Sequence, residues 1–261
     1  MIIWIFQGIG HAIRTFIQEI GQWSILAWNI FKSTGYLLKH PHLVIQQMME
    51  IGVRSLPLVS VVSLFTGAVS SWQAAYQFKG VISTSLSMDF LGAAVSAAIL
   101  IELSPVLTGI VVAGRVGASI AAEIGTMKVT EQIDALETLA IDPIYYLASP
   151  RFMAGFIMLP ILVIHADFLA HLGAYSVAFL LLNISTETFF GSAQRHFLIY
   201  NVFSGLIKAV VFGAGTALIG CSIGFRTSGG AEGVGKSTIK AFVFASAFIL
   251  IFDYILAMIL F

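Results

Sequence analysis

Cysteine and charge are both scarce in this 261-residue chain. A single cysteine excludes an internal disulfide and any cysteine metal cluster. Charged residues make up 10% of the sequence, against about 25% in an ordinary soluble domain, which excludes a surface that faces water on all sides. The 13 basic and 13 acidic residues cancel. With no basic surplus to grip phosphates, nucleic-acid binding is not expected, and no acidic tail suggests a disordered arm. A basic start ahead of the first apolar residues is also lacking, which argues against a cleaved signal peptide. What the chain has instead is hydrophobicity, 58% of its residues. It reads as an integral membrane protein.

A helix needs roughly 20 apolar residues to cross a bilayer core about 30 Å thick. Five runs qualify, at 57–76, 91–114, 152–182, 200–225 and 239–261. They are continuous rather than alternating, so helices are expected and a strand barrel is not. Residues 1–40 differ: Gln7, His11, Arg14, Gln18, Glu19, Gln22 and Lys32 interrupt the apolar residues, with Trp4, Trp23 and Trp28 along the stretch. That mixture suits a helix lying in the membrane interface. With the N-terminus inside, ten basic residues (Arg14, Lys32, Lys39, Arg54, Arg115, Lys128, Arg151, Arg226, Lys236 and Lys240) fall on the cytoplasmic side. Lys79 and Arg195 fall outside, and Lys208 lies within a span. The bias follows the positive-inside rule.

Residues 230–237, G-A-E-G-V-G-K-S, match the phosphate-loop pattern letter for letter. That chemistry needs a strand ahead, a helix behind and a distant magnesium-binding Asp. This stretch joins two spans and has none of that context, so it reads as a flexible Gly-rich loop at 226–238. The loop between spans two and three, 115–150, is more informative. From about 129 to 140, Val129, Ile133, Leu136 and Ala140 recur at helical spacing while Glu131, Asp134 and Glu137 take another side, which predicts an amphipathic helix. Asp142-Pro143 stops it.

The run A-G-R-V-G-A-S-I-A-A-E-I-G-T-M-K-V-T-E-Q-I-D-A-L-E-T-L-A-I-D-P at 113–143, followed by S-P-R at 149–151, resembles the signature of MlaE-type permeases, the membrane subunits of ABC lipid transporters linked to MCE proteins. A-E-G-V-G-K-S-T at 231–238 resembles that family's last cytoplasmic loop. The resemblance covers nearly the whole chain and implies one permease domain over 1–261. The implied fold is an all-α integral membrane protein: an N-terminal interfacial helix, five transmembrane helices, and a cytoplasmic coupling helix between spans two and three. It further implies a homodimer in the bacterial inner membrane, a separate cytoplasmic ABC ATPase, a periplasmic MCE-domain lipid-binding protein, and a phospholipid substrate. The ATPase would be coupled through Glu131, Asp134, Glu137, Ile133 and Leu136. No cofactor or metal is expected.

Ionisable groups within spans are costly and mark candidate functional sites. Lys208 lies eight residues from Tyr200 and Asp253 eight from Phe261. At about 1.5 Å per residue, both sit roughly 12 Å from one boundary and are expected to pair. Glu102 precedes Pro105 by three residues, and the proline is expected to kink the helix and free a carbonyl beside the carboxylate. Glu102-Leu103-Ser104-Pro105 resembles the family's E-L-x-P motif, with Ile101 where relatives often carry a basic residue. Asp167 and His171 share a helix face and suggest a local hydrogen bond. Leu64, Trp72, Tyr76 and Phe248 are candidates for an apolar lipid path beside Glu102, Lys208 and Asp253. Small residues at 109, 113, 117 and 121, at 213 and 217, and at 220 and 224 suggest close helix packing, either within the subunit or across a dimer. Two other classes remain open on the residues alone. An ion-coupled secondary transporter would use Asp167, Lys208 and Asp253, and an intramembrane enzyme His165, Asp167 and His171.

Overall fold

In lipid, backbone amides and carbonyls have no partners but one another, so an apolar chain closes its hydrogen bonds within helices. The computed structural model describes residues 18, 21–33, 40–81 and 90–261, and it contains helices and no strand among them. Much of the expected interfacial region, including Trp4, His11 and Arg14, lies outside the described residues. Helix α1 covers residues 21–33 and is amphipathic in packing. Its Leu26 and Ile30 are buried against the bundle, while Ile25, Trp28 and Phe31 are exposed.

Five helical rods are long and apolar enough to cross a membrane. In the first, α2 (Pro41–Ile51) runs through a tight turn at Val53–Ser55 into α3 (Leu56–Val81). This rod starts earlier than the apolar run at 57–76, because Pro41 suits a first helical turn and the tight turn at Val53–Ser55 passes the chain directly into α3. The others are α4 (Leu91–Val129), α6 (Ile144–Leu180), α8 (Ile199–Phe225) and α9 (Gly230–Leu260). Between α4 and α6 sits the short α5 (Gln132–Thr138). Between α6 and α8 sits α7 (Thr186–Arg195), which the hydropathy reading passed over.

The Gly-rich stretch is not a loop. The connection from α8 is short, Gly229 turns it at a φ of 87°, and helix α9 begins at Gly230. A left-handed residue at this position favours glycine. Glu232 and Lys236 then pair at 2.6 Å one turn apart, which supports helix rather than an open cradle.

Helix α8 is central and packs on α4, α6 and α9, while α3 lies against α6. Phe212 and Ile219 of α8, Leu159 and Leu162 of α6, and Ile249 of α9 are fully buried. The small residues of α4 and α8 face each other: a Cβ on Gly220 would stand 2.9 Å from the Gly117 carbonyl oxygen, and one on Gly224 would stand 2.8 Å from Ile124 Cβ. That stripe is therefore spent within the subunit. A second seam escaped the sequence pattern. Gly67 of α3 lies against the Ala170 carbonyl, and Gly173 of α6 against the Leu64 carbonyl.

Candidate functional site

The α4 rod is interrupted just before Pro105 by a π-helical turn, Ile99–Leu103. A proline lacks the amide that would close an ordinary turn, and the chain passes this point in the wider turn. It also carries Glu102 to the side of α4 that faces α8. There the carboxylate meets Lys208, whose side chain is 0% exposed. Lys208 Nζ donates to Glu102 Oε1 at 2.6 Å and stands 2.8 Å from Asp253 Oδ1 of α9.

The expected Lys208–Asp253 pair is present within one subunit, and Glu102 joins it. Three spanning helices thus meet at one cation. The two carboxylates differ in setting. Glu102 keeps 41% of its side chain exposed, whereas Asp253 keeps 20%. Glu102 is therefore the member that opens toward whatever lies outside the subunit. Lys208 faces two acids, so its charge is fully engaged and the exposed edge of the cluster is acidic in composition.

The expected local hydrogen bond between Asp167 and His171 is present, but through the backbone: His171 Nδ1 lies 2.8 Å from the Asp167 carbonyl oxygen. His165 Nε2 turns instead to Ser60 of α3, 2.8 Å away. His165, Asp167 and His171 do not converge, and among the described residues no group of three or more His, Cys, Asp and Glu gathers to hold a metal.

The apolar candidates divide. Leu64, Trp72 and Tyr76 lie exposed along α3. Phe248 of α9 packs over Gly215 and stacks on Phe252 at 4.2 Å. It also lines an apolar groove of about 380 Å³ with Trp23, Leu218 and Phe244, a set that includes none of the three α3 residues.

The amphipathic helix of the long loop is shorter than the pattern at 129–140. Val129 still belongs to α4, and Glu131 adopts a left-handed φ of 61° that breaks the chain before α5. Ala140 ends the segment with a φ of 58°. Ile133 is 3% exposed and belongs to the main core, with Leu136 partly buried beside it, so α5 is anchored to the bundle and not merely tethered. Its acids are not equivalent. All three are exposed, but Asp134 is paired with Lys128 at 2.7 Å. Glu137 borders a cleft of about 390 Å³ between α5, α1 and the end of α8, with Lys128 and Asp142 also on its wall. Arg115 donates to Ser55 Oγ at 2.7 Å and to the Glu50 carbonyl at 3.2 Å, tying α4 to the end of α2 and the turn that follows it.

The family described as Permease MlaE matches residues 44–259. A probable ABC transporter permease protein of Rickettsia typhi is 40% identical over 96% of this chain and 95% of its own length. A probable ABC transporter permease protein of Synechocystis sp. is 41% identical over 98% of this chain and 95% of its own length. The intermembrane phospholipid transport system permease protein MlaE of Haemophilus influenzae is 31% identical over 100% of this chain and 99% of its own.

Proposed function

The chain belongs to the MlaE permease family, and on that premise we propose that it forms the path by which an ABC transporter moves phospholipid between the inner and outer bacterial membranes. It is a transport subunit, and ATP hydrolysis belongs to a partner subunit. The observation that carries the reading is the family match across residues 44–259, loop and spans together.

In this reading the N-terminus is cytoplasmic, as the basic residues indicate. Helix α5 then lies in the cytoplasm as the coupling helix, and two copies of the chain form a homodimer beneath an MCE-domain protein. Nucleotide-driven movement of the ATPases pushes on α5. Because Ile133 and Leu136 root α5 in the core, the push reaches the spans. Glu102, Lys208 and Asp253 gate the path, and Leu64, Trp72, Tyr76 and Phe248 contribute apolar wall for acyl chains. The dimer alternates between two accessible states, whose populations the nucleotide shifts.

Purification of the native complex in mild detergent tests this directly. Mass spectrometry is expected to find an ABC ATPase, an MCE-domain protein and bound phospholipid. The reconstituted complex is expected to transfer phospholipid only with ATP. Transfer that persists without any ATPase, yet collapses with the proton gradient, would favour an ion-coupled carrier.

The coupling surface gives a narrower prediction. Reversing Glu131, Asp134 and Glu137 together to lysine is expected to weaken ATPase association about tenfold, equivalent to ~1.4 kcal/mol. Because Asp134 is engaged with Lys128, Glu131 and Glu137 should supply most of that loss. Unchanged co-purification of the ATPase would remove these acids from the interface.

A further inference from the structure

The exit from the coupling loop carries an ion pair that the transport reading leaves unused. Arg151, in the S-P-R stretch, is 3% exposed. Its Nη2 lies 2.8 Å from Glu123 Oε1 of α4, and its Nη1 donates to the Leu147 carbonyl at 2.7 Å. Glu123 stands near the end of α4, Arg151 near the start of α6, and α5 lies between them in sequence. The pair therefore closes the coupling loop at its base.

The same junction reaches further helices. Ser149 donates to the Ile144 carbonyl at 3.0 Å and its hydroxyl pairs with that of Ser33 on α1. Residues 144–148 form a π-helical turn, a local geometry that often sits at functional positions. A guanidinium fork can hold a carboxylate and a carbonyl at once, which an ammonium on a single stem does less well.

Resting on the permease reading, we propose that Glu123 and Arg151 are positioning residues that make α4 and α6 move as one body when the ATPase displaces α5. With the base of the loop closed, α5 cannot shift against one span without drawing the other. Along α4, Glu123 lies 21 residues from Glu102, about 32 Å of helix, so the clamp sits at the driven end of the rod that carries the charge cluster. The Ser149–Ser33 contact extends the same body to α1.

The test uses the complete complex with its ATPase, comparing wild type with Glu123→Gln and Arg151→Lys. Glu123 is half exposed, so Glu123→Gln folds even if the buried Arg151→Lys does not. Complex yield and ATP hydrolysis are expected to stay near wild type, while phospholipid moved per ATP falls about tenfold, within the range of measured coupling effects. Backbone amides over 130–148 are expected to exchange hydrogen faster in both variants. A parallel fall in hydrolysis and transfer, or no change in either, would overturn the clamp. If the wild-type complex itself shows no ATP-dependent transfer, the permease reading fails. The clamp is then judged on exchange alone: faster exchange over 130–148 in Glu123→Gln supports it, and unchanged exchange overturns it.

Discussion

Replacing Lys208 with methionine is expected to cost about 3–5 kcal/mol of stability, the usual penalty for removing one partner from a buried ion pair. The variant should accumulate poorly and unfold early in detergent. The reason is geometric. Lys208 is fully buried and holds Glu102 at 2.6 Å and Asp253 at 2.8 Å. Without it, two carboxylates from different helices face each other in a region where each charge is already expensive. The combined variant Glu102→Gln, Lys208→Met, Asp253→Asn removes all three charges at nearly constant volume. It is expected to recover most of the folded yield, because a neutral set of similar shape avoids the desolvation cost. Phospholipid transfer should not recover with it. A fully stable Lys208→Met protein would mean that the three groups do not depend on one another.

The second large effect is expected at the crossing of α6 and α8. Gly155 and Gly213 bring the two backbones together there: a Cβ on Gly213 would overlap the Gly155 carbonyl oxygen, and a Cβ on Gly155 would stand 2.7 Å from the Gly213 carbonyl oxygen. Backbone cannot swing aside as a side-chain tip can, so the helices must separate. Overpacking of this kind costs about 1–3 kcal/mol, and Gly213→Leu should lie at or beyond the upper end. Gly235 supplies the control. Nothing lies within 4 Å of a Cβ built there, and an alanine in a helix gains up to about 1 kcal/mol over glycine. Thermal unfolding followed by helix content should show Gly213→Leu strongly destabilised and Gly235→Ala unchanged or slightly improved. Equal shifts for the two would contradict the close crossing.

The five spans were legible because long apolar runs admit few other structures, and the depth of Lys208 and Asp253 followed from counting residues along α8 and α9. The third member of their cluster was legible in principle. Glu102 lies 11 residues into its span, about 17 Å from the same boundary, and a lysine stem can bridge the difference. Spans two and four are not consecutive in the chain, however, and with Ile101 beside it Glu102 has no cation next to it in sequence. The phosphate-loop lookalike misled in the opposite sense. Its glycines suggested a loop, yet the turn is confined to Gly229 and Gly230, both at positive φ, and the chain continues from there as one helix into the last span. Helix α7 is marked by Ser185, whose hydroxyl accepts from the Thr188 amide at 3.1 Å, and by Glu187 in its first turn and Arg195 in its last, signals readily lost between two hydrophobic spans. The Arg151–Glu123 contact was not legible, since no periodicity joins residues on either side of a folded loop.

A permease of this family has no engine of its own, and hydrolysis belongs to its partner subunit. ATP hydrolysis by the chain purified alone is therefore to be set against hydrolysis by its native complex in phospholipid vesicles. No turnover is expected from the isolated chain, with Lys236→Ala making no difference, and phospholipid-linked turnover is expected from the complex. Hydrolysis by the solitary chain, abolished by Lys236→Ala, would contradict this expectation.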